Sequence, residues 1–132
     1  MYATVNLKER YKQDYISTAS PADLVVMLYE GCIKKIKLAQ IHMESGDIEQ
    51  TSKCLVSAQD IIGELVNSLD MSFEISNDLL KLYDFMMNEL VQMNVKKEMD
   101  TAPAVLEMLA SLKNAWVEAK QKTENSMVCE QY

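Results

Sequence analysis

Only one histidine, His42, occurs in these 132 residues, beside three glycines, two prolines, three cysteines and one tryptophan. Each scarcity removes a class of function. With a single imidazole, the paired Glu-x-x-His motifs of a di-iron bundle cannot be written, and a metal site would have to be completed by carboxylates or thiols. No metal and no cofactor are expected. No glycine-rich turn is available to expose a nucleophilic Ser or Cys, and His42 has no partner histidine to share acid and base duties, so the chain does not read as an enzyme. Cys32, Cys54 and Cys129 include no Cys-x-x-Cys and leave one thiol over in any pairing. They fit a chain kept reduced in the cytosol, with Cys32 and Cys54 packed on helix faces and Cys129 in a polar tail. Positive charge is also short: 13 Lys and Arg against 20 Asp and Glu give a formal net charge of -7. That balance excludes a counterion-releasing nucleic-acid face. No apolar run is long enough to insert in a membrane. Between Gln40 and Val95 only Lys53 and Lys81 carry positive charge, and the acidic excess there reads as a solvated face, with a docking site for a basic partner as the alternative.

What is abundant is helix former. Leu, Met, Ala, Glu and Lys fill long stretches with little Gly or Pro to interrupt them, which predicts an all-α chain. Its length suits one domain, residues 1–132. In the arm at 1–19, Leu7, Tyr11 and Tyr15 share an i, i+4 spacing, so a short helix or ordered segment is expected there. The first long helix starts at Ser20-Pro21-Ala22-Asp23, where Ser20 can cap, Pro21 needs no donor and Asp23 suits the helix dipole. It runs to about Glu44 and stops at Gly46. Asp47 and Gln50 open the second helix as a capping box, and Leu55, Ala58, Ile62, Leu65 and Leu69 form its seam. Ser76 is the candidate cap of a third helix with Leu79, Tyr83, Met86, Leu90 and Met93 inward. After a turn at Lys96, Lys97 and Glu98, the fourth begins near Thr101 with Pro103 in its first turn. It turns Val105, Leu109, Leu112, Trp116 and Ala119 inward. Fraying is expected over 121–132. Four helices of about 30 Å joined by short loops give an antiparallel up-down four-helix bundle over residues 20–120, with the arm as a cap segment.

The apolar stripes are wider than such a bundle needs. Beside the seams lie Met27, Leu38 and Ile41 on the first helix, Leu80, Met87 and Val91 on the third, and Leu106 and Val117 on the fourth. A patch of that size asks for a cover. Either the arm, peripheral packing or a homodimer hides it, or a partner's amphipathic helix lies in grooves formed by these residues with the arm as a displaceable lid. Ten Met favour the second, because thioether side chains repack around varied shapes. Tyr29 and Tyr83 read as seam residues with their hydroxyls at the surface. A helical adaptor or homodimer without a client belongs to a different class and stays open. So does a histidine phosphotransfer bundle using His42, although Glu44 and Asp47 supply acid where a phosphoryl group wants a cation.

Four blocks then carry a resemblance. Ala19-Ser20-Pro21-Ala22-Asp23-Leu24 running into Met27-Leu28-Tyr29-Glu30-Gly31 resembles the opening helix of the FliS family, bacterial flagellin export chaperones. Ile61-Ile62-Gly63-Glu64-Leu65 with Ser68-Leu69-Asp70, then Leu79 with Leu82-Tyr83-Asp84-Phe85-Met86, and finally Lys113-Asn114-Ala115-Trp116 follow in the family's order across residues 2–119. The resemblance implies a cytosolic helical bundle that binds the disordered C-terminal region of flagellin, blocks its premature polymerisation and helps deliver it to the flagellar type III export gate protein FlhA. It also implies a cap region including Tyr2, Leu7 and Tyr11 that shifts to admit the client, and no use of ATP. A weak homodimer is compatible with it. One departure stands out: Met71-Ser72-Phe73-Glu74 lacks the glycine expected before the third helix, so that turn can differ in shape and Phe73 can extend the binding surface.

Overall fold

The structure, a computed structural model, describes residues 21–131, with side chains as far as residue 122. The expected cap residues Tyr2, Leu7 and Tyr11, and the side chain of Cys129, lie outside the described residues. Four helices make up the described chain: α1 (Pro21–Glu44), α2 (Ile48–Asn67), α3 (Glu74–Lys96) and α4 (Ala102–Gln131). No strand is present among the described residues. Fold class and helix order are those that the apolar periodicity predicts.

The punctuation is local chemistry. Gly46 closes α1 at φ 80, a backbone that costs a glycine nothing. Asp47 then caps α2, its Oδ1 accepting from the Gln50 N–H at 3.1 Å. Lys97 ends α3 in the left-handed region, and its Nζ donates to the Asn94 carbonyl at 2.6 Å. The start of α3 differs from expectation. Phe73, in extended backbone, is the residue before the helix and offers no side-chain cap. Ser76 lies inside the first turn, buried, with its Oγ donating to the Asp70 carbonyl at 2.6 Å. Its hydroxyl ties the preceding turn to the helix instead of capping it. At the other end, α4 continues to Gln131 where fraying was expected from Gln121, since Lys120, Gln121 and Lys122 favour helix and no Gly or Pro follows.

One contiguous core joins the helices. Leu28, Cys32, Ile36 and Ala39 of α1 meet Leu55, Ala58, Ile62 and Leu65 of α2, then Met86 and Leu90 of α3, with Val105 and Leu109 of α4. Neighbours are antiparallel. Along α1 and α4, Asp23 pairs with Lys120, and Glu30 with Lys113 at 3.4 Å. The seams are unequal. α1 packs against both α2 and α4, and α2 packs against α3, but α3 and α4 scarcely touch. The bundle is therefore closed along three sides and open along the fourth.

Two helical glycines are not required by this packing. A Cβ on Gly31 would meet only Ile61 Cδ1 at 3.5 Å, ordinary contact, and one on Gly63 would meet nothing. Gly31→Ala and Gly63→Ala should each stabilise the fold by about 0.5–1 kcal/mol through helix propensity. Gly46→Ala should lose about 1 kcal/mol at its positive φ. Urea denaturation of the three variants reads all three signs.

Candidate functional site

The open side holds an apolar groove of about 450 Å³. Its α3 wall is Ile75, Ser76, Leu79 and Tyr83, and its α4 wall is Leu112, Ala115, Trp116 and Ala119. Val25 of α1 contributes at the base, while Leu69 and Phe73 close the end formed by the α2–α3 connection. The reason it stays unfilled is in the sequence of α4. Expected inward, Ala119 is exposed, and Ala115 is exposed one turn before it. Two methyl groups cannot span the distance to α3. Leu112 and Trp116 are half-buried for the same reason.

The connection is built without glycine. Asp70 Oδ1 accepts from the Ser72 N–H at 3.0 Å and from its Oγ at 2.6 Å, and the Phe73 N–H donates to the Asp70 carbonyl at 3.2 Å. The Ser72 hydrogen bonds hold the Asp70 carboxyl below its ordinary value. No residue in this turn needs positive φ; among the described residues only Gly46 and Lys97 have it. An Asx turn therefore replaces the expected glycine, and it leaves Phe73 at 61% exposure beside Ile75 at 64%. Leu82 and Phe85 continue this exposed apolar run along α3.

Beneath the groove lies a polar chain that the sequence does not announce. Tyr29 and Tyr83 face the core as expected of seam residues, but their hydroxyls do not reach the surface: both side chains are buried and their Oη atoms are 2.5 Å apart. Trp116 Nε1 donates to Tyr29 Oη at 3.1 Å. Each buried hydroxyl has the other as a hydrogen-bond partner. Burial raises the pKa of both phenols.

None of the eight apolar residues expected to form the groove lines this one. Met27 and Ile41 are exposed on α1, and Leu38 is half-buried. Leu80, Met87 and Val91 are half-buried along the flank of α3 opposite Ile75, at roughly 100° per residue. Leu106 and Val117 are half-buried on the flank of α4 that carries Lys113, bound to α1. Leu38, Met87 and Leu106 pack against the core. The eight are thus spread over the flanks of three helices, two of them exposed. Spacing gives them as surplus on α1, α3 and α4, but which seam is left open depends on how four helices are spaced. Phe73 and the alanines of α4 were the available signals. His42 sits in the last turn of α1 with its carbonyl accepting from Ser45 Oγ at 3.0 Å, and no group of metal-ligating side chains occurs among the described residues.

The pattern described as "Flagellar protein FliS" matches residues 4–123. The chain belongs to the FliS family. It is 37% identical to the flagellar secretion chaperone FliS of Bacillus subtilis (strain 168), over 84% of each chain. It is 32% identical to that of Vibrio cholerae, over 87% of this chain and 86% of the other. A solved structure, "Crystal structure of flagellar chaperone from bacteria", shares the fold at a TM-score of 0.75 and 22% identity, covering 89% of this chain and 98% of that one. As a FliS family member the chain is a flagellar export chaperone and not an enzyme. No helix among its described residues is long and apolar enough to cross a membrane.

Proposed function

We propose that this FliS family chain acts in the cytosol by binding the disordered C-terminal region of flagellin, with the groove between α3 and α4 as the central docking site. The observation that carries the reading is the open seam itself: an apolar cleft with exposed Phe73 and Ile75 in its lining, and Leu82 and Phe85 exposed farther along α3, on an otherwise well-packed bundle. An amphipathic helix is the occupant whose shape and chemistry fit such a cleft. The small side chains of Ala115 and Ala119 allow its backbone to approach α4 closely. A disordered tail that becomes helical there recovers its ordering cost from apolar burial, and its sticky face is withheld from other flagellin subunits. The flank residues Met27, Leu38, Ile41, Leu80, Met87, Val91, Leu106 and Val117 would meet a client that wraps on around the bundle.

The arm is the lid in this reading. Pro21, the first described residue, lies one helical turn from Val25, which lines the groove. Tyr2, Leu7 and Tyr11 would cover the cleft until a client displaces them. The loaded complex would then be handed to the export gate protein FlhA. Titration calorimetry against a flagellin C-terminal peptide from the same organism tests the core of this. One-to-one binding with a negative heat-capacity change is expected. No heat at several temperatures, with the chain a stable dimer, would replace the client with a second copy.

A further inference from the structure

We propose that Tyr83 is a specificity-determining residue whose hydroxyl donates a hydrogen bond to the groove's occupant, so that the groove selects an apolar segment carrying one oxygen acceptor. The inference deepens the reading of the groove as a client site. It comes from counting protons. Trp116 Nε1–H, Tyr29 O–H and Tyr83 O–H are three donors, and only two hydrogen bonds join them: indole to Tyr29 Oη at 3.1 Å, and Oη to Oη at 2.5 Å. One hydroxyl proton is left without an acceptor among the described residues.

Both tyrosines are almost wholly buried, Tyr29 at 0% and Tyr83 at 1%, so which proton it is follows from which of the two reaches the groove wall. If Tyr83 donates to Tyr29, the spare proton is on Tyr29, a residue of zero exposure that does not line the groove. It would then be a buried unmade hydrogen bond, the costly case. If Tyr29 donates to Tyr83, then Tyr29 accepts from the indole, donates onward and is satisfied. The spare proton is then on Tyr83, which does line the groove. The polar chain therefore runs Trp116 to Tyr29 to Tyr83 to the occupant. Leu79, Ile75, Leu112 and Ala115 of the wall are apolar, and its other side-chain donors are already spent: Ser68 Oγ on the Leu65 carbonyl at 2.7 Å, Ser76 Oγ on the Asp70 carbonyl at 2.6 Å and the Trp116 indole on Tyr29. A single donor in an apolar cleft rewards a matching acceptor, such as an Asn, Gln, Ser or Thr oxygen or an unpaired backbone carbonyl, and penalises a client without one.

The test uses the full chain and two isosteric probes, cyclohexyl methyl ketone and isopropylcyclohexane, which differ in the acceptor oxygen. Binding is followed by the nuclear magnetic resonance shift of the Trp116 indole N–H. The ketone-to-hydrocarbon affinity ratio in wild type is compared with that in Tyr83→Phe, which cancels the probes' difference in hydrophobicity. The ratio should fall by about five- to tenfold in Tyr83→Phe, the worth of one hydrogen bond. Tyr29→Phe should keep it, because Tyr83 retains its own proton. An unchanged ratio in Tyr83→Phe, a ratio lost in Tyr29→Phe, or failure of both probes to bind wild type would overturn the proposal. Since neither probe is flagellin, the outcome stands apart from the calorimetry with the peptide.

Discussion

Ile75→Glu should weaken binding of the flagellin C-terminal peptide by at least about 100-fold while leaving the thermal transition almost unmoved. Ile75 lines the groove yet is 64% exposed in the free chain, so its replacement removes little packing. Once a client covers it, the new carboxylate is an unpaired charge against an apolar helix, a cost of several kcal/mol, and each 1.4 kcal/mol is tenfold in affinity. Phe73→Glu should act in the same direction. Met87→Glu and Leu106→Glu differ in kind, because both side chains pack on the core, and they should lower the melting temperature as well as binding. Calorimetry paired with circular dichroism melts separates the two classes. Normal binding by Ile75→Glu would move the client to the flank residues of the closed seams.

Above pH 9 the fold should lose stability steeply. Burial pushes the Cys32 thiol from 9.0 up to about 12, with its Sγ–H donating weakly to the Ala58 carbonyl at 3.7 Å. Below pH 9 both folded and unfolded thiols are protonated and pH has no leverage through this group. Above it the unfolded thiol ionises and the folded one does not. Stability then falls by about 1.4 kcal/mol per pH unit until the folded thiol titrates near pH 12. Tyr29 and Tyr83, both raised, add to the slope from about pH 10 upward. Urea midpoints between pH 7 and 11 read the slope, and Cys32→Ala should flatten the part between pH 9 and 10. An equally steep loss in that variant would place the sensitivity elsewhere.

Much of this molecule is legible in its sequence because helix ends and seams are local. Pro21, Gly46, Asp47 and the 3-4 spacing of Leu55, Ala58, Ile62 and Leu65 each act within a turn or two of chain. The site is less legible because it is a missing contact. Leu80 and Ile75 are both apolar residues beside a seam, and nothing within α3 tells which flank faces a neighbour and which faces a gap. That depends on Ala115 and Ala119, residues of another helix some 40 positions away. The Tyr29–Tyr83 pair was hidden for a similar reason: each tyrosine alone suggests a hydroxyl reaching water, and only their meeting across the core gives each a partner there.

The unequal seams also have a mechanical consequence. With α3 scarcely touching it, α4 is fastened chiefly to α1 and can loosen while α1, α2 and α3 stay assembled. Amide exchange with heavy water should be fastest along this plank. A helix seated in the cleft would tie the plank down on its loose edge and slow exchange in a segment it need not cover entirely. Cargo and carrier would thereby finish each other's order, and the carrier's melting point would climb with cargo concentration by mass action.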